Sequence, residues 1–241
     1  MAFRYSPKIV TDGLVLYLDV ANTKSFVSGS TIWNDLTKNN YNGILTNGPT
    51  FDTNNAGSIV FDGVDDFVIV PSFSGTNFPQ EQGTVSIWYN IKSDNGVINK
   101  SSRGIFDQFN LTRNHIFIRN YPFQPSSPNF VIQIALQSTL LPSSYIYSTG
   151  QNISVDEWHN IVVAYVCGSS SSVNVYIDGN LVSSGVMSDS SWRPNGQFVG
   201  FGTTNRPCMQ GNGSILKIYD RPITATEVLQ NYNALKNRFG L

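Results

Sequence analysis

Charge is scarce in this 241-residue chain. Asp, Glu, Lys and Arg together make up 13 % of it, and 15 basic against 16 acidic residues leave a formal net charge of −1. That is about half the charged share usual in globular proteins. A chain so balanced has no field to grip a phosphate backbone or an anionic membrane, which excludes nucleic-acid and membrane-surface partners on electrostatic grounds. Glutamate is rarer still, with only Glu81, Glu157 and Glu227, and histidine is limited to His115 and His159. Acid–base chemistry has few residues to draw on. No stretch approaches the ~20 apolar residues that cross a bilayer, and the start, Met1 to Lys8, lacks the apolar core of a signal peptide. The expectation is therefore a protein made and folded in a cytosol. Two cysteines, Cys167 at the end of an apolar run and Cys208 in a loop, read as inert thiols more readily than as a bridge.

What is present points to β-structure. Hydrophobic residues are 40 % of the chain and aromatics 12 %, enough for a core, so disorder is excluded. The surface polarity comes from Asn, Ser, Thr and Gly, whose short side chains compete for backbone hydrogen bonds and favour turns and pleated surfaces over helix interiors. Short apolar alternations recur between turn signals at 14–18, 58–61, 67–70, 84–89, 96–100, 115–119, 130–136, 158–166, 173–177, 197–201 and 213–219. Many short strands at this spacing predict a sandwich or jelly roll. In the clearest hairpin, Asp178-Gly179 supplies the turn, and a period of two sets Val173, Val175 and Ile177 on one face. The nearly continuous apolar run Trp158–Val166 predicts a central strand covered on both sides.

One helix is marked, at the C-terminus. Thr224-Ala225-Thr226-Glu227 is a capping box, Ile223 can staple onto Val228, and Val228, Leu229, Tyr232 and Leu235 form an apolar stripe. Lys236 and Arg238 are expected to complement the helix C-terminus. The Pro/Ser-dense stretch from Tyr121 to Pro128 reads as a long surface loop, and no linker divides the chain. The expected organisation is an N-terminal arm, residues 1–11, that needs a neighbour to hold it, and one domain, residues 12–241.

Several segments resemble the concanavalin A-like, laminin-G-type jelly-roll family of the lectin/glucanase fold. They are Asp12-Gly13-Leu14-Val15-Leu16-Tyr17-Leu18-Asp19, Trp33-Asn34-Asp35-Leu36 with Asn42-Gly43-Ile44-Leu45, and Ile59-Val60-Phe61-Asp62-Gly63-Val64-Asp65-Asp66-Phe67-Val68. Further along are Thr84 to Tyr89, Glu157-Trp158-His159-Asn160-Ile161-Val162-Val163, Val175-Tyr176-Ile177-Asp178-Gly179, and Gly213 to Ile223. Thr37 to Tyr41 departs from the family's Ser-Gly-Asn-Gly run, and Asn160 stands at its second His. In order and spacing the blocks cover roughly residues 12–238. The resemblance implies an all-β fold, a two-sheet antiparallel jelly-roll sandwich with one C-terminal helix, which hosts lectins, glycoside hydrolases, polysaccharide lyases and adhesion modules alike.

A retaining glycosidase needs two carboxylates about 5–5.5 Å apart, which on a strand means acids at i and i+2 or i+4. No such pair falls within a strand: Asp62 and Asp66 are four apart, but with Asp65 they read as the bend between two strands. Lyases of this fold use a His and a Tyr, and here Gln133-Ile134-Ala135 has alanine where the base would be. A Ser-His-Asp triad stays open, without a Gly-x-Ser-x-Gly elbow to support it. The expected reading is no enzyme. Sugar binding instead uses rings and amides, and the expected ligand-binding aromatics are Trp33, Tyr121, Tyr145, Tyr147 and Trp192, in loops or at strand ends; Trp88 and Trp158 read as core. No cofactor is required. Relatives often hold a calcium, for which Asp35 with Asn39 and Asn40, or Asp65 with Asp66, are the candidate ligands, beside the plainer reading that these aspartates cap turns.

The arrangement of the first blocks, without a signal peptide, resembles stand-alone members encoded by tailed bacteriophages. The implied function is a non-catalytic virion structural protein (capsid decoration, fibre or tail adhesin) at the virion surface, with neighbouring virion proteins and host cell-surface glycans as partners. Monomer and homotrimer both stay open. The alternatives are a glycan-degrading depolymerase of the same fold and a scaffold without ligand.

Overall fold

The computed structural model describes residues 8–92, 103–109, 115–122, 130–137, 145–169, 172–186, 197–201 and 210–241. The expected strand at 96–100, Trp192, Cys208 and most of the expected 121–128 loop lie outside these residues. In chain order the strands are β1 (Leu14–Asp19), β2 (Ile32–Trp33), β3 (Gly43–Thr46), β4 (Thr50–Asp52), β5 (Ser58–Asp62) and β6 (Phe67–Ile69). Then follow β7 (Gln82–Ile91), β8 (Arg103–Phe109), β9 (His115–Pro122), β10 (Phe130–Gln137) and β11 (Tyr145–Ile153). The last five are β12 (Trp158–Val166), β13 (Ser172–Ile177), β14 (Asn180–Gly185), β15 (Gln197–Phe201) and β16 (Gln210–Tyr219), before helix α1 (Ala225–Leu235).

The strands form two antiparallel sheets. One runs β14-β13-β12-β7-β16-β5-β4, with β1 also pairing β16; the other runs β11-β10-β9-β8-β15-β6-β3-β2. At one side of the sandwich β11 lies against β14. The other ends of the two sheets are the short strands β4 and β2. This is the two-sheet architecture that the alternating sequence predicts. Tyr121 and Pro122 extend β9, pairing with Val131 and Phe130, so these two residues of the expected loop belong to a strand.

Alternation explains the core. Val85, Ile87 and Tyr89 of β7, Ile161, Val163 and Tyr165 of β12, and Leu216 and Ile218 of β16 point between the sheets and are fully buried. Each aliphatic side chain so buried contributes about 1.5–3 kcal/mol. Trp33 and Phe61 both stack on Phe201 at 5.7 Å. Cys167 sits as a buried thiol at the edge of this core.

The other face of the first sheet is also buried, beneath the C-terminal segment. The capping box at Thr224 and Glu227 starts α1 as the sequence predicts, and Ile223 and Val228 are buried together. Leu229 is exposed, while Asn231 is 2 % exposed, so the helix rotates its buried stripe towards a polar residue. Asn231 Oδ1 accepts the Val10 N–H at 2.8 Å, its Nδ2 donates to the Tyr219 hydroxyl, and that hydroxyl donates to the Val10 carbonyl. Gln230 Nε2 donates to the Lys8 carbonyl at 2.7 Å. Residues 8–10 of the expected arm are thus held by the chain's own helix. Arg238 does not serve the helix end: its guanidinium turns away to Asp19, Ser214 Oγ and the Asn55 and Gly57 carbonyls. Phe239 inserts its ring against Trp88 at 4.3 Å and Trp158 at 4.6 Å, confirming both tryptophans as core. Among the described residues, no helix is long and apolar enough to cross a membrane.

Candidate functional site

Two surface cavities gather chemistry-bearing side chains. The first lies where β4 ends one sheet and β2 and β3 end the other. It has a volume of about 370 Å³ and is lined by the turn Ser28-Gly29-Ser30-Thr31, the Gly48-Pro49-Thr50 turn, Leu45, Phe26 and Phe51. Phe26 and Phe51 pack at 5.6 Å with their rings tilted by 32°. Phe51 reaches that position because Gly57, at φ 121°, has no Cβ; one placed there would stand 3.1 Å from the Phe51 ring. Behind Phe26, Trp33 meets it edge-on at 6.4 Å. Ser28, Thr31 and Thr50 are exposed on the rim, and their hydroxyls are tied to no other described residue. No lining residue is charged.

The second cavity, about 470 Å³, opens at the β13–β14 hairpin and contains Ser154, His159, Asp178 and Asn180 beside Ile153, Ile177 and Leu181. Asp178 takes φ 50° and Gly179 φ 82°, the paired positive angles of a tight hairpin turn. This turn aims the Asp178 carboxylate back at β12: Oδ1 accepts the Asn160 N–H at 2.8 Å and Oδ2 lies 2.8 Å from His159 Nδ1. His159 Nε2 lies 3.1 Å from Ser154 Oγ. The three side chains therefore line up as serine, histidine and aspartate. Ser154 Oγ, however, also donates to Glu157 Oε2 at 2.5 Å. A hydroxyl has one proton to give. With that proton directed to Glu157, Ser154 has none to give His159 Nε2, so the serine is not set up here as a nucleophile activated by the histidine. As it stands the cluster clasps the hairpin to the start of β12.

The expected metal ligands separate into two cases. Asp35 is buried, and its two oxygens accept the Tyr17, Thr37 and Tyr41 N–H groups at 2.9–3.0 Å and the Thr37 hydroxyl at 2.7 Å. Four donors occupy about all the lone-pair sites of a carboxylate, so the calcium role expected there is corrected to that of a turn organiser. Its suggested co-ligand Asn39 donates instead to the Val15 carbonyl. Asp62, Asp65 and Asp66 bring ligand oxygens within 4.8 Å of one another. Asp66 is buried and accepts the Asp62 N–H at 3.0 Å, while Asp62 accepts the Val64 N–H. Burial, reinforced by the charges of Asp62 and Asp65, raises the Asp66 carboxyl above its usual range. Three carboxylates are the right donor type for a hard cation, but six to eight oxygens are needed, so carbonyls and water would have to complete the shell.

Of the expected ligand-binding aromatics, Trp33 is 0 % exposed and has no face left for a sugar. Its role is corrected to that of a support behind Phe26. The reason is register: Trp33 pairs with Gly43 in the last strand of its sheet and points inward, a direction that a two-residue strand does not betray in sequence. Tyr121 stands opposite Val131 on β9, and Tyr145 and Tyr147 stand opposite Leu136 and Ile134 on β11. These three fall on strands of one sheet, away from the first cavity; Trp192 lies outside the described residues. The sequence reading missed Phe26 and Phe51 because neither sits in an alternating run, although Ser28-Gly29-Ser30 and Gly48-Pro49 are turn signals flanking them. It also missed Asp178 as the partner of His159, reading Asp178-Gly179 for its turn alone.

A family model described as the concanavalin A-like lectin/glucanases superfamily (Laminin_G_3) matches residues 62–229. No curated protein matches the chain. Among solved structures, the chain is similar to domain 4 of AbnA, a GH43 extracellular arabinanase from Geobacillus stearothermophilus, in complex with arabinotriose. The TM-score is 0.64 at 17 % identity, covering 91 % of this chain and 98 % of that one. The binding domain of Paraclostridial Mosquitocidal Protein 1 gives a TM-score of 0.69 at 15 % identity, over 92 % of this chain and 52 % of that one. A Trypanosoma rangeli sialidase mutant displaying trans-sialidase activity gives 0.65 at 13 %, over 97 % and 34 %. The chain thus spans about half of the toxin domain and a third of the sialidase. At these identities the likeness is one of fold.

Proposed function

The chain belongs to the concanavalin A-like lectin/glucanases superfamily, and from that premise we propose that it is a non-catalytic, lectin-like module of a bacteriophage particle that binds host-surface glycans. One observation carries this reading: the acids nearest the site candidates are spent on structure. Asp35 and Asp178 accept backbone N–H groups, Asp66 does the same within its turn, and Glu227 holds Arg221 and the helix cap. At the first cavity, what stays for a ligand is a ring and hydroxyls, the chemistry of sugar recognition. The module sits at the virion surface as decoration, fibre or tail adhesin, contacts neighbouring virion proteins, and needs no cofactor beyond an optional structural calcium at Asp65 and Asp66. Its low-charge, Asn/Ser/Thr-rich exterior supports that placement, with neither nucleic acid nor membrane as partner.

The test has two arms. The protein is sought in purified virions by mass spectrometry and immunogold labelling, and the purified chain is applied to a glycan array. Labelled particles and at least one bound glycan are expected; unlabelled particles overturn the virion placement, and an empty array favours a scaffold without ligand. Light scattering decides between monomer and homotrimer.

A second reading, a glycan-degrading enzyme of the same fold, is favoured by the alignment of Ser154, His159 and Asp178. It requires that glycan or glycan ester be turned over and that Ser154→Ala abolish the turnover. Product release unaffected by Ser154→Ala removes the triad from consideration.

A further inference from the structure

We propose that the cavity between the Ser28–Thr31 and Gly48–Thr50 turns, with Phe51 as its ring, is a binding site for an uncharged saccharide. This rests on the glycan-binding reading above and deepens it by assigning the site and the ligand class. The volume of about 370 Å³ lies within the range of small-ligand sites. An apolar floor beneath a polar rim is the arrangement that takes a molecule with a C–H face and a hydroxyl edge. Phe51 is half-buried, with Phe26 packed 5.6 Å from its ring and the bare Gly57 backbone beside the edge of that ring. A ring fixed in this way loses little entropy when a sugar stacks on it. Ser28, Thr31 and Thr50 bring hydroxyls with both donor and acceptor capacity, tied to no other described residue.

The same lining excludes acidic sugars. No Lys or Arg faces the cavity, so a carboxylate entering it would lose water without gaining a cationic partner. A peptide is also disfavoured. Chain addition at a sheet edge needs a strand long enough to pair with, and the flanking edge strands, Thr50–Asp52 and Ile32–Trp33, have only three and two residues. Gly29 and Gly48 leave the mouth open: a Cβ at either would meet nothing within 4 Å.

The experiment titrates the full chain by calorimetry with arabinotriose, maltotriose, cellotriose and chitotriose as neutral probes, and with 3′-sialyllactose and trigalacturonate as acidic ones. Phe51→Ala removes the ring, and Ser28→Trp, at an exposed rim position, fills the mouth without touching the core. The expected result is binding of at least one neutral probe, weakened about tenfold or more by each variant with the thermal midpoint of Ser28→Trp unchanged, and no binding of the acidic probes. A neutral probe bound equally by wild type and Ser28→Trp overturns the site while leaving glycan binding standing. Preference for an acidic probe, or a displayed peptide whose binding Ser28→Trp blocks, overturns the ligand class. If neither these probes nor a broad glycan array yields binding to the wild type, the glycan-binding reading itself falls.

Discussion

Arg238, three residues from the C-terminus, donates through Nη1 to Asp19 Oδ1 at 2.6 Å, joining the end of the chain to the end of its first strand. Both side chains are nearly buried, at 13 % and 10 % exposure. Around them, Tyr17 donates its hydroxyl to Asp19 Oδ2, and burial beside that carboxylate raises the Tyr17 hydroxyl well above its ordinary pKa. The guanidinium also satisfies Ser214 and two carbonyls. A C-terminal element that looks like a lid on the sheet is therefore locked to it by one buried ion pair.

Removing one partner of such a pair strands the other charge. Arg238→Met is expected to cost about 3–5 kcal/mol in urea-induced unfolding. It should also loosen Phe239 from Trp88 and Trp158, read as a loss of near-ultraviolet circular dichroism. A variant as stable as wild type would show that the ion pair does not hold the segment.

Lys217 is fully buried on the face beneath that segment, and its Nζ has no hydrogen-bond partner among the described residues. Burial pushes its pKa down to about 7, with Asp19 opposing the shift. The unfolded chain binds the proton up to about pH 10.4. Between about pH 7 and 10 the unfolded state thus holds more protons, so stability rises with pH across this window; below it the cost of burying the charge is present in full. Lys217→Met is expected to be more stable than wild type at pH 7, on the order of 2–4 kcal/mol, with the gap closing towards pH 10. Parallel stability curves for the two proteins would contradict this.

Glu227 joins helix cap and ion pair: both its oxygens meet Arg221, at 2.6 and 2.9 Å, and it accepts the Thr224 N–H. The Arg221 hydrogen bonds are the main cause that lowers its carboxyl to about 2. Its contribution is complete above the unfolded value of about 4.5 and is lost as pH falls from there to about 2. Since the carboxylate is partly in water, Glu227→Gln is expected to cost only about 1–2 kcal/mol at pH 7 and nothing near pH 2. Thermal melts at the two pH values check it.

Trp33 stands behind Phe26, which lines the first cavity, and its indole N–H has no partner among the described residues. Trp33→Ala is expected to cost about 3–5 kcal/mol through the cavity it leaves. Trp33→Phe, which loses no hydrogen bond, should cost under half as much and preserve any saccharide binding. Equal losses in both variants, measured by urea midpoint, would assign the indole N–H a role that the packing does not give it.

The sequence by itself determined the layers. Alternation in Thr84 to Tyr89, the continuous run Trp158–Val166, the Asp178-Gly179 turn and the Thr224–Glu227 cap are local signals, because a pleat, a turn and a helix end each depend on residues within a few positions. They sufficed for a two-sheet sandwich and for the scarcity of paired acids. Tertiary structure decided whatever depends on residues far apart in the chain. It turned Trp33 inward, filled all four lone-pair sites of Asp35, and led Arg238 back to Asp19. It also set Asp178 against His159 and brought Phe26 to Phe51 at the seam where β4 and β2 end their sheets. The side chains that make a site come from separate turns, and only closure of the two sheets fixes the distance between them.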